Sequence, residues 1–149
     1  MADQIELKPA IVTGPVVLIL ATAQQAELAE RYSEDQPLVE LQPDIEFLVL
    51  WQEDEAIGCV GLQPFGPVAA EIKRMYVVPA ARGRGLSRLL LGAVETHARN
   101  RGLTAQRLET GLKQPEAIGL YSRSGYREIS RYAPYEDIAL SVCFAKDLN

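Results

Sequence analysis

From residue 46 to residue 78 the apolar positions alternate in short runs, and after residue 86 they repeat at helical spacing. Glu46 to Gln52 and Ala56 to Leu62 predict two strands joined by the polar turn Glu53-Asp54-Glu55, a hairpin. Pro64 to Pro67 closes the second strand, and Val68-Ala69-Ala70 opens an antiparallel third that continues to Val78. Along this third strand the apolar phase changes. Ala70 and Ile72 share one parity, whereas Met75 and Val77 share the other, so one residue near Lys73 or Arg74 is extra, which is a bulge signature. Leu86, Leu89, Leu90, Ala93, Val94, His97 and Ala98 then define one face of a helix that Arg101-Gly102 ends.

The flanking segments follow the same logic. Of the apolar runs Ile5 to Leu7 and Ile11 to Leu20, broken by Pro9 and Gly14-Pro15, one forms a first strand. Strong helix formers from Ala21 to Tyr32 predict a first helix with Thr22 as N-cap, and residues 33–44 read as a loop or a short second helix. Downstream, Arg107 to Gly111 is a short strand. A helix follows whose first turn tolerates Pro115, because proline lacks an N–H that would be unpaired there. Tyr126 to Ile129 and Leu140 to Lys146 are the last strands, with an aromatic loop carrying Tyr132 and Tyr135 between them.

Composition narrows this picture. A chain of 149 residues with 48% hydrophobic content is expected to form one domain around one core. Cys59 and Cys143 sit in apolar runs, which suits reduced core thiols better than a disulfide or metal site, so a cytoplasmic protein without a metal is expected. The start of the chain has no basic region, and the Val16 to Ala21 run is too short to span a bilayer. Charge is divided unevenly. Residues 71–107 carry +6 in a chain of net −5, and such an island fits a small anionic ligand better than nucleic acid. Within it, Arg99, Arg101 and Arg107 read as helix-end solvation.

The chemistry concentrates at Tyr76-Val77-Val78-Pro79-Ala80-Ala81-Arg82-Gly83-Arg84-Gly85-Leu86-Ser87-Arg88, a strand, a tight turn and a helix start. Backbone N–H groups in such a turn, together with the helix N-terminus, form an anion cradle, and Arg82 and Arg84 add full charge beside it. A plain structural turn is one reading. A dinucleotide fingerprint is a second, but it needs a glycine where this chain has Arg88. In a third, Arg82-x-x-Gly85-x-Ser87 resembles the pyrophosphate loop of the GNAT superfamily of N-acetyltransferases, and Glu71 to Pro79 resembles that family's fourth strand. Gln114-x-x-Ala117-x-x-Leu120-Tyr121-x-x-x-Gly125-Tyr126 is similar to its last helix, with Ser87 and Gln114 departing from the usual Gly or Ala and the usual Asn.

The resemblance implies a GNAT-like α/β fold, a mixed and mostly antiparallel sheet flanked by helices, whose bulged fourth strand diverges from the fifth. It implies acetyl-CoA as cosubstrate, held by Tyr76, Val77, Val78, Arg82, Gly83, Arg84, Gly85, Leu86, Ser87 and Gln114. An unpaired strand N–H near Val77 would meet the thioester carbonyl, Tyr121 would protonate the departing thiolate, and Glu71, directly or through water, would serve as base. The acceptor would be a primary amine. In the family the first helices line the acceptor side, so the twelve acidic residues against Lys8 and Arg31 in residues 1–55 read either as a merely solvated surface or as the mouth for a cationic small-molecule or peptide amine, with no nucleic-acid or membrane partner expected. A CoA-binding sensor or interaction module that keeps the cradle without turnover is the alternative reading.

Overall fold

The computed structural model describes residues 4–33 and 41–148. Seven strands and three helices are present among the described residues. In chain order these are β1 (Ile5–Ala10), α1 (Pro15–Tyr32), β2 (Glu46–Gln52), β3 (Glu55–Phe65), β4 (Ala69–Val77), α2 (Leu86–Asn100), β5 (Ala105–Gly111), α3 (Pro115–Arg123), β6 (Arg127–Ile129) and β7 (Ser141–Asp147). A single 3-10 turn, Pro79–Ala81, links β4 to the glycine loop. The sheet order is β1-β2-β3-β4-β5-β7-β6. Every neighbouring pair is antiparallel except β4 and β5, which are parallel.

Strand alternation splits the core between the two faces of the sheet. On one face Leu50, Val60, Leu62, Ile72 and Leu108 pack with Leu90 and Val94 of α2 and with Tyr121 of α3. On the other, Phe47, Val49, Cys59 and Tyr76 pack beneath Val17 and Leu20 of α1. The hairpin, the mixed sheet and the positions of α2 and α3 agree with the sequence reading.

The bulge lies where the apolar parity changed. Gly61 pairs with Lys73 and Cys59 with Tyr76, so two steps along β3 match three along β4. Arg74 absorbs the extra residue at φ 56°, a left-handed conformation that costs a non-glycine residue about 1–2 kcal/mol. The Cys59 thiol donates to the Arg74 carbonyl at 3.3 Å, and burial pushes that thiol's pKa up to about 12. As a result Ile72 and Val77 share the α2 face while Lys73 and Tyr76 both turn toward α1.

Three expectations need correction, and a further one, the loop or short helix over residues 33–44, falls mostly outside the described residues. First, α1 begins at Pro15, not near Ala21, because Gly14 takes the extended N-cap conformation and Pro15 fits the first turn. Thr22 is therefore inside the helix, and its hydroxyl donates to the Leu18 carbonyl at 2.8 Å. Second, Leu89 is 44% exposed, and the buried face of α2 carries Leu91 and Glu95 instead. Third, Arg107 does not solvate a helix end. It lies on β5 with its guanidinium carbon 3.7 Å from the ring centroids of both Phe65 and Tyr132. Residues 34–40 lie outside the described residues, and residues 41–44 contain a turn closed by Ile45 N–H to the Gln42 carbonyl at 3.2 Å.

Candidate active site

β4 and β5 pair only over Ala69–Glu71 and Ala105–Arg107, then separate. The bulge turns the far half of β4 away, while β5 stays bound to β7 along its whole length. A cleft of about 910 Å³ opens in the gap, within the range of pockets that hold small molecules.

Polar backbone groups of β4 face into this gap. Val78 N–H bonds the Ile57 carbonyl on β3 at 3.0 Å, so by strand alternation the N–H and C=O of Val77 point the other way. Two side chains confirm the direction. Arg82 Nε donates to the Val77 carbonyl at 2.9 Å, and Gln24 Nε2 donates to the Met75 carbonyl at 2.9 Å. The Val77 N–H is thus aimed where β5 has withdrawn.

The glycine loop forms the next wall. Gly83 and Gly85 have φ of 79° and 76°, and a Cβ at either would meet nothing within 4 Å, so conformation and not crowding selects glycine. The first bond of α2 is Leu89 N–H to the Gly85 carbonyl at 3.1 Å, which leaves the amides of Leu86, Ser87 and Arg88 ahead of the intrahelical ladder. Arg82, Arg88 and Arg123 line the same cleft. Arg82 Nη2 also contacts Glu27 Oε1 at 2.7 Å, tying the loop to α1. Donor amides, open space and guanidinium groups suit the phosphates of a nucleotide-bearing cofactor.

Tyr121 enters from α3. It is buried, stacked edge-on against Tyr126 at 5.7 Å, with its hydroxyl 3.8 Å from Met75 Sδ. Burial, with a contribution from the Glu109 charge, raises its pKa well above the ordinary phenol value, so it stays protonated. Gln114 lines the cleft at the start of α3, and its side-chain amide lies 3.4 Å from the Tyr32 hydroxyl. A Cβ at Gly111 would collide with that hydroxyl, so glycine at the end of β5 admits Tyr32 to the wall.

Among the sequence-predicted residues the cleft brings together Tyr76, Val77, Arg82, Gly83, Gly85, Leu86, Ser87, Gln114 and Tyr121. Val78, Arg84 and Glu71 are not in its lining. The Val78 amide is spent on β3, Arg84 Nη1 donates to Gln52 Oε1 at 3.1 Å, and Glu71 is buried in a charged cluster. In that cluster Glu71 Oε2 lies 3.0 Å from Lys73 Nζ and accepts from the Tyr132 hydroxyl at 3.0 Å, while Oε1 lies 3.6 Å from Arg107 Nη2. Among the charged lining residues that the sequence reading did not assign to the site are Arg88, Arg123 and Glu109. Arg88 sits in the first turn of α2, directly after the loop motif, and that place near the amides would have pointed to it, but Arg123 and Glu109 carry no local signal.

Comparison with known proteins agrees with this geometry. Residues 17–126 match the model of the acetyltransferase (GNAT) family. The chain is 36% identical over 140 residues to a protein of Azospirillum brasilense named IAA acetyltransferase, covering 86% of this chain and 91% of that protein. It superposes with a TM-score of 0.87 and 32% identity on the crystal structure of a Klebsiella pneumoniae protein assigned to the acyl-CoA N-acyltransferases, covering 98% and 99% of the two chains. The fold is shared as well with a GNAT family acetyltransferase from Elizabethkingia anophelis solved with acetyl-CoA bound, at TM-score 0.75 and 20% identity over 98% and 99% of the chains. The protein belongs to the GNAT family of acetyltransferases.

Proposed function

We propose that the protein transfers the acetyl group of acetyl-CoA directly to a primary amine. The observation that carries this reading is the gap between β4 and β5, onto which the Val77 amide, the Tyr121 hydroxyl and the amides after Gly85 all open. Acetyl-CoA, when bound, supplies an acetyl group activated as a thioester. The Leu86 to Arg88 amides, with Arg82, Arg88 and Arg123, hold its phosphates. The Val77 N–H donates to the carbonyl oxygen and stabilises charge that grows there. Tyr121 donates its proton to the departing sulfur. An ordinary phenol near pKa 10 is matched to a thiol near 8.5, and the further rise caused by burial keeps Tyr121 in its donor form. The carboxylate of Glu109 within the cleft supports an acceptor that arrives as a small cation. Two buried free thiols, Cys59 and Cys143, support a reducing, cytoplasmic setting.

Calorimetric titration with acetyl-CoA, with NAD as control, tests the reading. Micromolar binding, about −8 kcal/mol, that vanishes in Gly85→Glu is expected. No binding of acetyl-CoA to folded protein would remove the enzyme reading and leave the loop a structural turn.

A further inference from the structure

Glu71 and Glu109 stand one strand apart on the same face of the sheet, in different company. Glu71 is committed to Lys73, Tyr132 and Arg107 and is absent from the cleft lining. Glu109 lines the cleft, and its Oε2 accepts from the Ser141 hydroxyl at 2.7 Å. Sheet geometry gives Glu109 its outlook. Leu108 packs on the α2 and α3 face, so Glu109 alternates to the α1 face. Because β4 has withdrawn, the gap there passes through the sheet. Tyr121 therefore reaches the gap from one face and Glu109 from the other. Lys73 bonds both Glu71 and the Tyr135 hydroxyl, each at 3.0 Å, and its charge also acts on Glu109.

Resting on the acetyltransferase reading, we propose that Glu109, and not Glu71, receives the acceptor amine and takes the proton its nitrogen loses, with Ser141 positioning the carboxylate. The opposed approach of Tyr121 and Glu109 fits the proton inventory of the reaction. An acceptor that arrives as an ammonium first gives one proton to Glu109 and through it to solvent. The nitrogen lone pair so freed forms the N–C bond to the acetyl carbon, and the C–S bond breaks with its electron pair passing to sulfur. Tyr121 supplies one proton to that sulfur, and Glu109 accepts one from nitrogen on the far side. Solvent then returns a proton from Glu109 to the Tyr121 phenolate, leaving an amide and a free thiol. Glu71 acts by holding Lys73 and Arg107, which makes it a positioning residue.

The groups facing Glu109 are Lys73 and Glu71 from β4, Tyr121 from α3, Tyr135 from the loop after β6, and Cys143 from β7. Burial raises the Glu109 pKa, the Ser141 bond and Lys73 oppose it, and the net displacement is upward. A base works when deprotonated, so the rate should rise with pH through a limb above the ordinary glutamate value near 4.3 and level off beyond it.

The test uses the full chain with acetyl-CoA and 2-phenylethylamine as probe acceptor, reading CoA thiol release at saturating amine from acid to neutral pH. Glu109→Gln, which keeps the acceptor for Ser141, should lose about 10²-fold or more in kcat together with the acid limb, whereas Glu71→Gln should keep the limb. Carbon-13 NMR of the carboxyl groups gives a second readout that needs no turnover. The resonance absent from Glu109→Gln should titrate at the pKa of the kinetic limb and move when the amine is added. If Glu109→Gln keeps both rate and limb, or if the Glu109 resonance ignores the amine, the assignment is overturned. Should wild type bind acetyl-CoA yet leave this amine unacetylated, the resonance alone decides. Failure to bind acetyl-CoA would instead overturn the reading on which the proposal rests.

Discussion

The same two strands, β4 and β5, build two different regions. Where they pair, at Ala69–Glu71 and Ala105–Arg107, backbone groups are consumed by the ladder and side chains by one another. Arg107 is sandwiched between Phe65 and Tyr132, and Glu71 gathers Arg107, Lys73 and Tyr132. A few residues on, one bulged residue parts the strands, and there the Val77 amide, Glu109 and Tyr121 face a cleft. Similar residue types become structural in one half and available for chemistry in the other. Strand separation, more than residue identity, makes the difference.

Four substitutions sharpen that contrast, in decreasing order of expected effect. Tyr121→Phe in the open half removes a proton donor and keeps the ring against Tyr126 and Phe144. Acetyl transfer should slow by about 10²–10⁴-fold with the melting temperature unchanged, and an unaffected rate would mean that the open half does not use the hydroxyl. In the closed half, Glu71→Gln leaves Lys73 and Arg107 short of a buried counter-charge. A stability loss of about 3–5 kcal/mol in urea is expected, with transfer at its pH plateau falling by less than about tenfold. If that variant keeps its stability and loses its rate, the two halves have been assigned the wrong way round.

Gly111→Ala pushes a methyl group into the Tyr32 hydroxyl at the cleft wall and should cost about 1–3 kcal/mol, seen as an earlier denaturation midpoint. Pairing it with Tyr32→Phe, which removes the colliding oxygen but leaves the ring Cζ 2.9 Å from the methyl position, should recover part of the loss. Last, Phe65→Leu strips one ring from the Arg107 sandwich and should cost about 0.5–1 kcal/mol beyond its change in buried area, without altering transfer.

Much of the site was legible because it rests on local signals. The parity change between Ile72 and Met75 located the bulge, Gly83 and Gly85 marked the loop, and Tyr121 came with its helix. The positions that local signals do not place depend on packing at long range. Val16 to Leu20 has the composition of a strand, and only the fit of Pro15 at a helix start, with Leu18 and Ile19 left 64% and 67% exposed, makes it helical. Glu109 looks like any polar strand residue until β4 withdraws on one side and Ser141 of β7 arrives on the other. Glu71 looks like an open carboxylate until Tyr132, sixty-one residues away in sequence, closes over it.

The most direct test of the open and closed halves is a nitrogen-15 NMR titration with acetyl-CoA and, separately, with CoA. The account predicts that the Val77 amide shifts strongly and more with acetyl-CoA than with CoA, since the acetyl carbonyl is its partner, while the Ala70 amide in the paired half stays in place. Equal shifts at Val77 with the two ligands, or a larger response at Ala70, would contradict it.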